Sequence, residues 1–249
     1  MTRTKILITG ASSGLGAGMA REFAAKGRDL ALCARRLDLL EELRAELIGA
    51  HPGITVAVRA LDVDDHAAVP RVCGELRDEL GGLDRVIVNA GIGKGARLGT
   101  GRASANLATA TTNFVSAMAQ AEAALAIFRE QNSGHLVLIS SMSAVRGLPG
   151  SKAAYSASKA GLSALGEALA TELRGSPIVV TTIQPGFIRT DMSDNAGDAK
   201  LVAPLDKGVS SMVAAIEQEK RRACVPGWPW RVIDLVLPHL PDSVVVKLA

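Results

Sequence analysis

Six short runs of apolar residues recur along the chain, at positions 5–9, 29–34, 54–58, 83–88, 135–139 and 178–183. Each has strand length without strict alternation, the pattern of strands covered on both faces of a parallel sheet. Helical periodicity fills the intervals. Leu15, Met19 and Phe23 share one stripe that Gly27 closes, and further helices are predicted over 37–48, 65–80 and 104–131, the last rich in alanine. Another begins near Tyr155, carries Leu162, Leu165, Leu169 and Leu173 on its apolar stripe, and stops at Gly175 and Pro177. A last helix runs from 206 to about 219, followed by Ala223-Cys224-Val225. Strands alternating with helices predict a single α/β domain.

The strand ends carry the candidate chemistry. The first leads into Thr9-Gly10-Ala11-Ser12-Ser13-Gly14-Leu15-Gly16, where glycines permit a tight turn and let a phosphate approach backbone N–H groups at the start of a helix. The second ends at Ala34, where NAD-binding folds place a carboxylate for the ribose 2′-hydroxyl. Arg35 and Arg36 follow instead, so a 2′-phosphate would meet two cations, and NADPH is expected over NADH. Asp62 beyond the third strand could accept from an adenine amino group or, like Asp64, cap the next helix. The fourth strand ends in Asn89-Ala90-Gly91, small enough for the backbone to pass close to a flat ligand. Residues 91–101, rich in glycine and carrying Lys94 and Arg97, read as a mobile loop on the ligand side. Pro185-Gly186 marks a sharp turn after the sixth strand, with the Thr190 hydroxyl just beyond. Residues 193–203 lack periodicity and read as a loop, a candidate substrate lid around Asp194.

The fifth strand delivers Ser140, Ser141 and Ser143 to the helix bearing Tyr155 and Lys159. Residues four apart lie on one helical face, and an ammonium beside a phenol draws its pKa down from about 10. A tyrosine so tuned can trade a proton with a hydroxyl or carbonyl, whose oxygen the serines are placed to hold. Tyr155 is the only tyrosine in the chain. Asn113, amid Phe114, Val115 and Met118, needs partners if buried, as a structural tie or as part of a proton path.

Composition narrows the class. With 249 residues, 48% hydrophobic and 21% charged, the chain suits one large globular domain, and no repeat or linker divides it. A net charge of +3 does not suggest a nucleic-acid binder. Cys33, Cys73 and Cys224 are odd in number and lack Cys-x-x-Cys spacing, which argues against disulfides and a metal site and suits a reducing, cytoplasmic setting. There is no secretory leader pattern at Met1 and no membrane-length apolar stretch. The tail, with Trp228, Trp230 and the run 232–240, is expected to wall a hydrophobic substrate pocket or mediate oligomerisation. Small residues at Ala157, Ala160, Gly161, Ala164 and Ala168 allow either a dimer interface or close internal packing.

Together these segments resemble the short-chain dehydrogenase/reductase family, whose pattern is TGxxxGxG after the first strand, NAG after the fourth, a serine with Tyr-x-x-x-Lys, and PG after the sixth. The matching residues are Thr9 to Gly16, Asn89-Ala90-Gly91, Ser141 with Tyr155 and Lys159, and Pro185-Gly186, in order across roughly residues 4–192. The resemblance implies one Rossmann-like, doubly wound domain with a seven-stranded parallel sheet and helices on both faces. It implies that Tyr155 is the general acid/base, that Lys159 lowers its pKa and grips the nicotinamide ribose, that Ser141 holds the substrate oxygen, and that Asn113 anchors a water leading from Lys159 to solvent. It implies cofactor contacts along Gly10, Ser12, Ser13, Gly14, Leu15 and Gly16, at Arg35 and Arg36, and at Asp62 and Val63 beside the adenine. Asn89, Ala90 and Gly91 would flank the adenosine ribose region, and Pro185, Gly186, Ile188 and Thr190 the nicotinamide, Thr190 meeting its carboxamide. A basic residue after Ala34 implies NADP, in agreement with the charge argument. The family's serine lies thirteen residues before its tyrosine, where this chain has Met142. Ser141 is preferred because it directly follows the strand, and Ser143 stays open.

The expectation is therefore an NADP-dependent oxidoreductase, homodimeric or homotetrameric, interconverting a hydrophobic ketone or aldehyde and an alcohol, without nucleic acid or membrane contact. Its rivals are a dinucleotide-binding regulator of the same fold and, more weakly, a serine hydrolase drawing on His51, His66, His135 or His239.

Overall fold

The structure, a computed structural model, describes residues 3–190 and 202–248. Seven parallel strands, β1 (Lys5–Thr9), β2 (Asp29–Ala34), β3 (Val56–Ala60), β4 (Arg85–Val88), β5 (Gly134–Ile139), β6 (Ile178–Pro185) and β7 (Arg222–Val225), stand in the order β3-β2-β1-β4-β5-β6-β7. The winding reverses between β1 and β4, and a crevice beyond the carboxyl ends of the strands opens at such a switch point.

Helices cover both faces, as the apolar runs require. α1 (Gly14–Ala25), α2 (Leu37–Ala50) and α7 (Leu205–Glu217) lie on one side, with Met19, Phe23, Leu40 and Met212 packed against Ile6 and Ile8. α3 (Ala68–Leu80), α5 (Ser116–Gln131) and α6 (Ala153–Glu172) lie on the other, with Leu76, Ala124 and Leu162 against Leu7 and Val86. Short helices α8 (Gly227–Val236) and α9 (Asp242–Leu248) close the chain.

Three local predictions need correction. β3 begins two residues later than its apolar run and continues through polar Arg59, because Cys33↔Arg59 and Ala34↔Ala60 still pair and Arg59 reaches Glu75 and Glu79 of α3. The helix predicted over 104–131 is two, α4 (Ala103–Ala110) and α5, joined by a π-helical turn at Thr111–Val115. Neither Asp62 nor Asp64 bonds the first turn of α3; Asp65 Oδ1 accepts from Ala68 N at 3.2 Å instead. Of the small residues on α6, Gly161 is explained by internal packing, since a Cβ there would stand 3.2 Å from the Phe114 ring. Ala157, Ala164 and Ala168 are exposed.

Beneath the sheet, at the amino ends of its strands, lies a polar cluster that the sequence pattern did not announce. Arg85 is fully buried, with Nε donating to His135 Nδ1 at 2.9 Å and Nη1 to Glu217 Oε1 at 2.5 Å. Arg28 binds the other Glu217 oxygen at 3.1 Å, and Arg3 binds Glu219 at 2.9 Å. His135 accepts at Nδ1, so its proton sits on Nε2 and is donated to Thr181 Oγ1 at 2.8 Å. Burial, reinforced by Arg85 and Arg3, pushes its pKa down to about 2, so the imidazole stays neutral. Burial would raise the Glu217 pKa, but Arg85 and Arg28 outweigh it and hold the carboxyl below its ordinary range.

Removing Glu217 would strand the buried Arg85 cation. Glu217→Ala should lower unfolding free energy by about 2–3 kcal/mol in urea titrations, towards the low end for a broken buried pair because Glu217 keeps some solvent access. Because the folded-state pKa is depressed, this contribution is present above the ordinary value of 4.5 and fades as pH falls through the lowered one. The gap between parent and variant should therefore close on acidification.

Candidate active site

A cavity of about 1120 Å³ opens at the switch point, bounded by residues from the ends of β1, β2, β4, β5 and β6. Its floor is a seam between the two central loops. Thr9 Oγ1 accepts from Asn89 N at 3.0 Å and Ala90 N at 3.1 Å, and Asn89 Nδ2 donates to Thr9 O at 2.9 Å. A Cβ at Gly10, whose φ is +65°, would stand 2.8 Å from Ala90 Cα, and one at Gly16 only 2.3 Å from Gly10 O. Side chains at either position would collide with backbone, so both glycines are needed for this close approach, and the turn they form lines the cavity at the amino end of α1, which fits a phosphate-bearing ligand. The Asn89 amide is thus engaged in joining the loops, a role the sequence did not indicate.

At the far end Arg36 Nη2 bonds Ser12 Oγ at 3.0 Å and Ser13 Oγ at 2.9 Å, bringing a guanidinium and two hydroxyls together beside Arg35. Asp62 and Val63 line the same end. Leu15, Pro185, Gly186, Ile188 and Thr190 line the cavity too, and Thr190 faces Gly14 across it, its Cβ 3.6 Å from where a Gly14 Cβ would be.

Ser141, Tyr155 and Lys159 meet at the other end. The phenol of Tyr155 is hydrogen-bonded to Ser141, and Ser143 N donates to Ser141 Oγ at 3.1 Å, orienting that hydroxyl. Ser140 does not take part: its hydroxyl donates to Lys159 O at 2.8 Å and lies 2.8 Å from Ser163 Oγ. Lys159 is buried, with Nζ donating to Ile139 O at 2.8 Å, and burial draws its pKa down to about 8. The expected fall of the Tyr155 pKa is not found. Burial pushes the phenol up and the Ser141 bond only partly offsets it, because the Lys159 ammonium is directed to Ile139.

Asn113 lies in the π-helical turn, a feature that recurs at functional sites. Its Oδ1 accepts from Ile92 N at 2.8 Å and its Nδ2 donates to Ile92 O at 2.9 Å. Thr109 Oγ1 donates to Lys94 O, and Asn106 Oδ1 accepts from Ala96 N at 2.9 Å. Three polar side chains on one helical stripe thereby hold alternate residues of an extended segment, so 92–96 is pinned and not the mobile loop expected. Asp64, whose part the sequence did not reveal, accepts from Thr112 Oγ1 at 2.8 Å and Ser116 Oγ at 2.6 Å, securing the turn from outside. The Asn113 amide also flanks Gly91, where a Cβ would stand 3.1 Å from Oδ1 and 3.5 Å from Lys159 Nζ.

The tail is placed differently from expectation. Trp228 is 79% exposed, and none of residues 202–248 lines the cavity. Trp230 supports it from behind: its ring fills the space a Gly186 side chain would need and packs edge-on against Phe187, centroids 5.5 Å apart. The lid predicted around Asp194 lies outside the described residues, although Ala203 at its end bridges to Ile188. None of the four histidines lines the cavity, which removes the ground for a serine hydrolase there. Ile92, Ser151, Lys152 and Phe187 line it unanticipated; Lys152, three residues before Tyr155, was legible from helical spacing.

The model of the short chain dehydrogenase family matches residues 4–201. An uncharacterized oxidoreductase of Mycobacterium tuberculosis is 57% identical over 100% of this chain and 98% of its own length. Dehydrogenase/reductase SDR family member 7B of Mus musculus is 34% identical over 85% of this chain and 67% of its own. Among solved structures, levodione reductase superposes with a TM-score of 0.83 at 25% identity, covering 93% of this chain and 99% of that one. An NADPH-dependent 3-quinuclidinone reductase from Rhodotorula rubra gives 0.80 at 27% identity, covering 91% of each chain.

The buried lysine has a measurable signature. Between about 8 and its ordinary 10.5 the folded state binds fewer protons at Lys159 than the unfolded chain, so stability rises with pH through that window. The urea midpoint of the parent should climb relative to Lys159→Met from pH 8 to 10.5; parallel curves would count against a buried, proton-poor Lys159.

Proposed function

The chain belongs to the short-chain dehydrogenase/reductase family, and on that premise we propose that it is an NADP(H)-dependent oxidoreductase interconverting a ketone or aldehyde and an alcohol. The observation that carries the reading is the Ser141–Tyr155 hydrogen bond with Lys159 one turn on, all three lining the cavity that holds the glycine turn. When bound, the nicotinamide supplies or accepts the hydride. The chain handles the proton. Ser141 donates to the carbonyl oxygen and fixes it against Tyr155, which gives up its proton as the alcohol forms and recovers it in reverse. Burial keeps Tyr155 protonated, the form reduction needs. Asn113 and Asp64 keep the wall beside Lys159 in place. A catalytically silent regulator would have no need of this assembled set.

The Arg36–Ser12–Ser13 cluster, beside Arg35 and the uncharged Ala34, favours a 2′-phosphate and hence NADP over NAD. Ile92, Phe187 and Ile188 give the substrate end an apolar wall. For assembly, Leu107 at 66% exposure, Val115, Met118 and the exposed alanines of α6 lie on elements in mutual contact and offer apolar surface suited to a homodimer or homotetramer. Three unpaired thiols, two of them buried, accord with a cytoplasmic setting. No helix among the described residues is long and apolar enough to cross a membrane.

Offered NADPH and a panel of ketones and aldehydes, the parent should turn over at least one. Tyr155→Phe should lose at least ~10²-fold in kcat while binding NADPH normally; retained turnover would remove Tyr155 from its role. By nucleotide titration, NADPH should bind at least ~10-fold more tightly than NADH, and Arg36→Asp should erase the difference. Equal affinities in the parent would refute the cofactor assignment.

A further inference from the structure

The charged residues lining the cavity divide by position. Arg36 stands with Ser12 and Ser13 beside Arg35 at one end, while the Asp64 carboxylate is taken up by Thr112 and Ser116. Around Tyr155 the lining cations are Lys152 and Lys159, and no described lining residue there is acidic. Lys159 is engaged by Ile139 O. Lys152 is not engaged in this way: among the described residues no carboxylate pairs with it, and its ammonium stands 5.9 Å from the centroid of the Phe187 ring. A cation held over an aromatic wall and facing a cavity can receive an anion without first breaking an ion pair.

Its placement relative to the reacting atoms follows from the helix. Lys152 is the first flanking residue of α6, with helical φ of −88° and ψ of −7°, three residues before Tyr155. Residues three apart share a face, their Cβ atoms ~5–6 Å apart. The neighbouring loop packs on the same turn. Gly95 seats directly on this turn, since a Cβ there would lie 2.1 Å from Ser151 O, and Arg97 Nε comes within 4.0 Å of where a Gly150 Cβ would be.

We propose that Lys152 determines substrate specificity, and that the substrate is an oxo acid: a carbonyl compound whose carboxylate, a short carbon chain from the carbonyl, is bound by the Lys152 ammonium. This inference rests on reading the site as a carbonyl reductase, with the carbonyl oxygen at Ser141 and Tyr155. The intervening carbons lie against Phe187 and Ile92, which reconciles an apolar wall with a charged substrate. The overall balance is that of the parent reaction, oxo acid, NADPH and a proton giving hydroxy acid and NADP⁺.

The test compares 4-oxopentanoate and 5-oxohexanoate with their methyl esters. In the parent, kcat/KM should favour each acid over its ester by at least ~10-fold, a preference that shrinks as salt rises from roughly 0.05 to 0.5 M. Lys152→Ala should reduce the acid-to-ester ratio by ~10-fold or more, and Lys152→Arg should retain it. The same four compounds are titrated against NADPH-loaded Tyr155→Phe, with and without Lys152→Ala, following nucleotide fluorescence; the dissociation constants should show the same ratios. A ratio near one in the parent series, or one that Lys152→Ala leaves unchanged, overturns the inference. Acid-selective, Lys152-dependent binding without turnover by the parent would keep Lys152 as the carboxylate site while refuting the reductase reading, so the two failures are distinguishable.

Discussion

Everything at the switch point depends on two loops meeting backbone to backbone. The end of β1 and the end of β4 are sewn together by the Thr9 hydroxyl and the Asn89 amide, at a separation that leaves no room for a side chain at residue 10. The glycine turn that this approach holds in place lines the cavity from Gly10 to Gly16. The approach also fixes where Ala90 and Gly91 emerge, and so where the wall near Lys159 stands. The family's TGxxxGxG and NAG signatures are, in this chain, two halves of one joint.

Around that joint the molecule accepts unfavourable burial in return for chemistry. Lys159 is buried with a single carbonyl partner, and the fold is less stable near neutral pH for it. Tyr155 is likewise held where its phenolate is disfavoured. Groups so placed are poor contributors to stability and good participants in proton transfer, because small changes in their surroundings shift their charge. On the opposite side of the sheet the same expense is handled differently: Arg85 is enclosed by Glu217, His135 and the Ile216 carbonyl, so its charge is answered from every direction. One buried cation is left responsive, the other is locked.

Much of this was legible in the sequence. Strands that are buried on both faces announce themselves as apolar runs, and the turn motifs at their ends are local, so six strands and the cavity-lining loops could be read directly; the seventh, only partly buried, came from the family resemblance. Contacts made across the chain could not. Nothing in Thr111–Val115 marks a π-helical turn, since it exists to let Asn113 reach Ile92 and to let Asp64, some fifty residues earlier, reach Thr112 and Ser116. The direction of the Tyr155 shift depends on where the Lys159 ammonium points, which spacing does not specify. Trp228 and Trp230 look alike in sequence, yet one is at the surface and the other fills the gap left by Gly186.

The stripe formed by Asn106, Thr109 and Asn113 has an implication for insertions and deletions. These three residues act as a surrogate neighbouring strand, offering hydrogen-bond partners at every second residue of 92–96. Two of them lie in α4 and the third in the π turn, which accommodates one residue more than a regular helix would. Because the π turn closes over five residues where a regular helix closes over four, excising a single residue from it would make the helix regular and leave α4 and α5 in nearly the same phase. Asn106 would stay on the side of Ala96 while α5 stayed seated on the sheet. The oddest stretch of helix in the molecule is therefore where one residue is absorbed without turning the rest, whereas a deletion within regular α4 would swing Asn106 off Ala96.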